Sequence, residues 1–260
     1  MALDSLSAKR VVVTADPSEL ASGVAARFIG KVSELAEAGQ TVHVALTGGT
    51  AGVALLRSAA DHPWRDNVQW SRVHFWWSDE RFVPQDDPDR NAVQARAALL
   101  DALQIPAENI HEIAASDGGK SLDDAAASYA AELARFAADD DPWPAFDICF
   151  LGVGPDGHIA SLFPDHHEIH VTDAAVLAVR DSPKPPAERI TLSRPVINSS
   201  IRVWMVLSGA EKASALGLVL AGASYSSVPA AGAKGRKRTV IFVDEAAASE
   251  VPPDLIDPEY

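Results

Sequence analysis

His158 stands two residues after Asp156 in "LGVGPDGHIASLFP", residues 151 to 164, framed by Gly152, Gly154 and Gly157. Histidine titrates near neutral pH and takes a proton from water without much tuning, while a nearby carboxylate fixes its tautomer and favours the imidazolium. That is general-base chemistry. The same stretch is also a literal G-x-G-x-x-G, the turn that holds a dinucleotide pyrophosphate. Such a turn usually opens a domain and leads into a long helix packed on its strand. Here the run lies mid-chain, carries Pro155 inside the turn, and meets Pro164 six residues after His158. The loop is therefore read as one that presents His158, not as a nucleotide site.

Three further polar segments carry chemistry. In "LTGGTAG", Thr47, Gly48, Gly49 and Thr50 stand between an apolar strand and an alanine-rich helix. Glycines let backbone amides approach an anion, and a helix N-terminus adds unpaired donors and partial positive charge, so the segment suits phosphate; it equally suits a plain strand-to-helix turn with threonine as N-cap. In "WWSDERF", Asp79, Glu80 and Arg81 form either a solvated ion-pair cluster or, beside the aromatics, a cleft wall where Arg81 binds an anion or a developing oxyanion. Lys212, in "LSGAEK", is a second candidate for phosphate, because a lysine at a helix start opposes the macrodipole.

Other features carry less. "DHHEIH", residues 165 to 170, lacks the H-E-x-x-H spacing and any helical pattern, and is read as a polar loop, so no metal is expected. No G-x-S-x-G nucleophile elbow occurs. Cys149, the single cysteine, lies in the apolar run "FDICFLG" and is read as a core thiol.

The elements that must position these residues alternate along the chain. Strand-like runs are predicted at "RVVVTAD", "TVHVALTGG", "VHFWWSDE", "NIHEI", "FDICFLGVG", "AVLAVRD", "IRVWMVLSG" and "TVIFVDE". Helices are predicted from Pro17 to Ala38, over "TAGVALLRSAA", from Asn91, from Ser121 to Ala138, and from Glu211 to Ala221. Alternation of this kind implies an α/β fold with a mainly parallel sheet covered by helices, whose ligands bind at the carboxyl ends of the strands. "LTGGT", "WWSDER", "GVGPDGH" and "LSGAEK" each follow a predicted strand, so one crevice can gather all four. No repeat or long linker divides the chain, and residues 1–260 are read as one domain. "DSPKPPAER" reads as a stiff loop and "EVPPDLIDPEY" as a surface tail.

Composition sets limits on partners. With 47% hydrophobic and 22% charged residues, the 260-residue chain can bury a sizeable core. A formal charge of −14 repels polyanions and argues against nucleic acid or an anionic membrane. The basic cluster "KGRKR", residues 234 to 238, is read as a solvated loop. No apolar run is long enough to span a bilayer and the start lacks a signal-peptide pattern, so a cytoplasmic protein is expected.

Together "TGGT", "WWSDERFVPQDDPDRN", "LGVGPDGHIASLFP", "ERITL" and "LSGAEK" resemble the 6-phosphogluconolactonase family, relatives of the glucosamine-6-phosphate deaminases. The match runs in order over nearly the whole chain. The resemblance implies a three-layer modified Rossmann-like α/β fold, no metal or cofactor, and hydrolysis of 6-phospho-D-glucono-1,5-lactone to 6-phospho-D-gluconate in the oxidative pentose phosphate pathway. It implies His158 as general base, phosphate binding by Gly48, Gly49, Thr50 and Lys212, and substrate contacts by Arg81 and Arg189; the chemistry of the residues themselves adds Asp156 or Asp79 as partner of the histidine and Thr47 to the phosphate segment. One departure is that Ala51 and Gly52 follow Thr50 where the family often has proline, which bears on the helix start more than on binding. A deaminase or isomerase is the alternative. Those enzymes have tyrosine where Arg81 stands and a glutamate partner for the histidine where Phe163 stands, and the loss of that carboxylate favours the lactonase. A monomer or weak oligomer acting on a small phosphosugar lactone is expected.

Overall fold

The computed structural model of the chain describes residues 9–137, 142–252 and 256. Ala138 and most of the C-terminal tail, including 253–255 and 257–260, lie outside the described residues, as does the start of the chain to residue 8.

Strand β1 (Lys9–Thr14) leads into helix α1 (Pro17–Glu37). Asp16 caps α1, accepting from the amides of Ser18 and Glu19 at 2.8 Å each, and Pro17 occupies the first turn, where no intrahelical amide is needed. Leu20, Val24, Phe28, Val32 and, on the adjoining row, Ile29 form the buried stripe, each full burial contributing about 1.5–3 kcal/mol. The helix ends at Gly39, whose φ of +80° suits glycine. Then follow β2 (Val42–Leu46), α2 (Gly49–Ala60), β3 (Val73–Trp77) and β4 (Asp79–Arg81). Next come α3 (Asn91–Ala98), α4 (Leu122–Ala134), β5 (Ile148–Gly152), β6 (Val176–Val179) and β7 (Arg189–Leu192). The chain continues through α5 (Arg194–Ser199), β8 (Arg202–Leu207), α6 (Ala213–Leu220) and β9 (Arg238–Asp244).

Six strands form a parallel sheet in the order β1-β9-β8-β5-β2-β3. The inner strands are apolar on both faces, as burial under helices requires: β5 reads Ile148, Cys149, Phe150, Leu151 without alternation. Burial also pushes the Cys149 thiol up to about 12, which leaves it an inert core group.

Three differences from the sequence reading matter. The run "VHFWWSDE" is two strands, not one: β3 belongs to the main sheet, and β4 turns away into a second, three-stranded antiparallel sheet in the order β4-β7-β6. Ser78 is the junction. Its amide and hydroxyl both donate to Leu46 O of β2, and its carbonyl accepts from Leu192 of β7, so one buried residue is bonded to both sheets. "AVLAVRD" forms β6 in that smaller sheet, paired with the unforeseen strand "RITL", so neither joins the parallel sheet. Finally "NIHEI" forms no strand: only Ile110 bridges Phe75, with His111 N donating to Phe75 O, before the chain leaves the edge.

Candidate active site

The carboxyl ends of β2, β5 and β8, with β4 beside them, open into one crevice of about 620 Å³. Its wall includes Thr47, Gly48, Gly49 and Thr50 after β2, Asp79 and Arg81 of β4, His158 after β5, Arg189 of β7 and Lys212 after β8. Every site residue expected from the sequence lines it except Asp156, which bonds directly to His158.

The loop after β5 is organised by its glycines. Gly157 adopts φ +82°, and Gly154 N donates to His158 O at 2.9 Å, closing a tight turn. A Cβ at Gly154 would lie 2.0 Å from His158 Nδ1 and 2.3 Å from Asp156 Oδ1. The glycine spacing therefore makes room for a side-chain pair. His158 Nδ1 and Asp156 Oδ1 are 2.5 Å apart, a contact that suits a ring proton on Nδ1 facing the carboxylate and leaves the lone pair on Nε2. Burial works against Asp156 ionising, but the His158 hydrogen bond and the charges of His158 and Lys184 outweigh it and hold this carboxyl well below the usual range. The His158 ring rests against Phe163 with centroids 4.8 Å apart.

Asp79 is not the histidine's partner. It is buried, accepts from the Ser161 hydroxyl at 2.8 Å, and faces the amide of Asn91 at 3.4 Å. Asp79 thereby ties β4 to the histidine loop and to α3.

The segment after β2 is a helix N-terminus with no side-chain cap. Gly48 is the N-cap, Gly49 has φ +80°, and neither threonine caps the helix, contrary to the plain-turn reading. Thr47 instead uses its hydroxyl to accept from Gly152 N at 3.1 Å, lacing the ends of β2 and β5. Gly48 is required by packing, since a Cβ there would fall 1.8 Å from Asn91 Oδ1. The uncapped start of α2 thus lines the same crevice as Arg81 and Lys212, an arrangement suited to an anion. Lys212, at the N-cap of α6, is on the same wall, and burial, only partly offset by Glu211, lowers its ammonium from the ordinary value. Beside it, Asp244 accepts from Ser208 Oγ at 2.6 Å and from Gly209 N at 3.1 Å, which fixes the turn after β8.

Arg81 donates from Nη1 to Asp89 O at 2.5 Å, and its Nε is buried without a hydrogen-bond partner. Arg189 spends its donors on the stiff loop before β7: Nη2 reaches Lys184 O and Pro185 O at 3.0 Å each, and Nε reaches Pro186 O at 3.2 Å. Its first task is therefore to hold a loop. That loop delivers Lys184, which the sequence reading missed, with Nζ 3.4 Å from His158 Nδ1 and 3.6 Å from Asp156 Oδ1. Asn91, also missed, lines the crevice between Gly48 and Asp79. The available signals were a lysine fixed between prolines in "SPKPP" and an asparagine ending "DPDRN".

"DHHEIH" forms a short helical turn in which His170 meets Ser226 Oγ at 3.1 Å and His166 packs on Phe163. Among the described residues no group of three or more His, Cys, Asp or Glu is placed to hold a metal ion. "KGRKR" is only partly loop: Arg238 opens β9, and the cluster joins Arg27, Lys31 and Arg202 around a separate recess of about 770 Å³ at the amino end of the sheet.

Comparison with known proteins gives a consistent result. A 6-phosphogluconolactonase of Streptomyces coelicolor is 44% identical over 253 residues, covering 96% of this chain and 97% of that protein. A 6-phosphogluconolactonase of Mycobacterium tuberculosis is 45% identical over 239 residues, covering 91% of this chain and 96% of its own length. Among solved structures, the 6-phosphogluconolactonase of Thermotoga maritima superposes with a TM-score of 0.79 at 29% identity, covering 91% of this chain and all of that one. The family model described as glucosamine-6-phosphate isomerases/6-phosphogluconolactonase matches residues 15–242, and the chain belongs to that family.

Proposed function

We propose that this crevice hydrolyses 6-phospho-D-glucono-1,5-lactone to 6-phospho-D-gluconate, with His158 as the general base. The observation that carries the mechanism is the His158–Asp156 pair facing the same crevice as an uncapped helix N-terminus and Lys212. The names of the relatives supply the substrate.

The phosphate sits at the amides opening α2, by Gly48, Gly49 and Thr50, with Lys212 as counter-charge. Held there, the sugar presents C1 toward the loop after β5, and the remote binding energy is used for orientation. A lactone is already an activated ester, so no covalent nucleophile is needed. His158 Nε2 takes a proton from water as its oxygen bonds to C1, and Asp156 supports the imidazolium that forms. The carbonyl electrons move onto oxygen, where Arg81 stabilises the oxyanion. When the carbonyl re-forms, the bond from C1 to the ring oxygen breaks and His158 returns the proton to that oxygen. The sum is addition of one water, giving a carboxylic acid that ionises and a free hydroxyl.

Phe163 bears on the isomerase alternative. It places an apolar ring against His158 where the deaminases have glutamate, so this chain has no second carboxylate there for proton shuttling. One domain, a monomer or weak oligomer in the cytoplasm, acting without nucleic acid, metal or cofactor, completes the reading. The net charge of −14 supports the part of this reading that leaves out polyanions, and among the described residues no helix is long and apolar enough to cross a membrane.

The test is the decay of freshly generated lactone above its spontaneous rate. Wild type should accelerate it, and a folded His158→Ala variant should lose about 100-fold or more. No acceleration by wild type sinks the lactonase; an undiminished variant sinks the base.

A further inference from the structure

We propose that Lys184 is a positioning residue that acts through the Asp156–His158 pair, its ammonium lying against both the carboxylate and the ring edge and balancing the charge of the one beside the other. The proposal rests on the lactonase reading with His158 as its base.

The geometry is specific. Lys184 Nζ lies 3.4 Å from His158 Nδ1 and 3.6 Å from Asp156 Oδ1, forming a triangle with the 2.5 Å bond between the other two. Nδ1 already donates its proton to Asp156, so the ammonium finds no lone pair there; the contact brings a fixed positive charge against the ring edge. A carboxylate alone beside a histidine favours the imidazolium, and a histidine already protonated cannot accept from water. A cation at this distance favours the neutral ring instead. When the proton arrives during attack, Asp156 is still bonded to Nδ1 and orients the ring.

The placement of Lys184 is supported by its surroundings. Its carbonyl and that of Pro185 are both held by Arg189 Nη2, and Arg189 in turn lies over Phe163, the ring on which His158 rests. One arginine therefore sets the loop that carries the lysine and the ring that backs the histidine. The other charged groups on the crevice wall facing His158 are Asp79 and Arg81 of β4, Arg189 of β7, and Glu211 and Lys212 after β8. Asp79 is bonded to Ser161, Arg81 to Asp89 O, and Arg189 to its loop, so none of these duplicates the Lys184 contact with Nδ1.

The proposal makes paired predictions of opposite sign in the pH profile of kcat/KM, after subtraction of uncatalysed decay. Lys184→Met keeps the aliphatic stem and removes the charge; the acid limb should move up by about one unit, so that activity well below it falls roughly 10-fold and recovers at higher pH. Lys184→Arg should leave the limb where it is in wild type. Asp156→Asn should move the limb down, together with a loss of kcat from poorer ring orientation. A limb that stays put in Lys184→Met while KM rises would make Lys184 a substrate ligand and overturn the proposal, as would a downward shift. The His158 ring resonances titrated by NMR give the same answer without turnover: they should shift to higher pH in Lys184→Met, and no shift overturns the proposal. That second measurement separates the two ideas, because wild type lacking lactonase activity would defeat the function while the ring titration still judges the charge pairing.

Discussion

At the scale of single residues, the glycines after β5 separate a nucleotide turn from a loop built around a histidine–aspartate pair. A dinucleotide turn uses its glycines to bring backbone to pyrophosphate, whereas Gly154 here gives its missing Cβ volume to His158 Nδ1 and Asp156 Oδ1. Replacing it should be felt in chemistry before stability. Gly154→Ala must push the imidazole or the carboxylate aside, and displacement of a catalytic group by an ångström costs roughly 100-fold. We therefore expect kcat/KM to fall by about that factor while the thermal midpoint changes less, since the groups that must yield are the partly exposed His158 and Asp156 side chains. A variant with unchanged turnover would show that the pair tolerates displacement and that the glycine serves only the turn. Thr47 gives the converse lesson: expected as a phosphate ligand, it lines the crevice but commits its hydroxyl to Gly152 N, so its contribution includes joining two strand ends.

The elements explain both what the sequence made legible and what it did not. The inner parallel strands and α1 were readable because buried apolar runs and a buried helical stripe leave strong local patterns, with Asp16 and Gly39 marking the helix ends. The second sheet was not, because β4 is three residues long and polar, and "RITL" lies buried behind a proline loop without alternation. "NIHEI" misled for the opposite reason: its β-branched residues fit an edge, but one bridge to Phe75 is all the geometry allows. In the site, His158 and its loop were legible because the motif is local, whereas Lys184 was not, since its meeting with His158 spans 26 positions and depends on β7 and Arg189. Glu80, read only as part of a charged cluster, proves to be the clamp between β4 and α3. Its carboxylate accepts from the amides of Arg81 at 2.8 Å, Asn91 at 2.7 Å and Ala92 at 2.8 Å. Burial pushes this carboxyl up to about 7, against those amides and Arg90, which favour its ionised form. Glu80→Gln replaces one acceptor oxygen with a donor facing an amide, and should destabilise by about 1–3 kcal/mol in chemical denaturation at pH 8. Asp79 and Arg81 flank it, so kcat should fall as well; an unchanged midpoint would mean that α3 is held by its packing alone.

For the whole molecule, the end of the sheet opposite the crevice sets how the fold responds to acid. His43 on β2 and His74 on β3 are neighbours in register, and His111 and Glu132 of α4 complete a chain of contacts. Trp76 Nε1 donates to His43 Nδ1 at 3.1 Å, His74 Nδ1 meets His111 Nε2 at 2.9 Å, and His111 Nδ1 meets Glu132 Oε1 at 2.9 Å. Trp76 also stacks on His111 with centroids 3.8 Å apart. These bonds suit neutral rings, and each further proton would meet burial and other histidines. Burial, with His74 and His111 beside it, brings His43 down to about 3, and burial brings His111 down to about 4 despite Glu132. In the unfolded chain both titrate near 6.5, so between that pH and about 3 the unfolded state binds more protons and stability rises with pH. Their contribution is fully present above about pH 6.5 and is lost as pH falls toward their folded values. For His43 alone the loss from pH 7 to pH 5 is about 2 kcal/mol. The thermal midpoint of wild type should therefore drop over that interval, and His43→Gln, which carries no titrating ring, should show a shallower slope whatever its midpoint at pH 7. Because His43 lies at the amino end of β2 and His158 follows the carboxyl end of β5, the same variant should keep the wild-type pH profile of kcat/KM at temperatures where it is folded. Parallel slopes for the two proteins would place acid sensitivity elsewhere, and a moved kinetic limb would mean that the two ends of the sheet are electrostatically coupled.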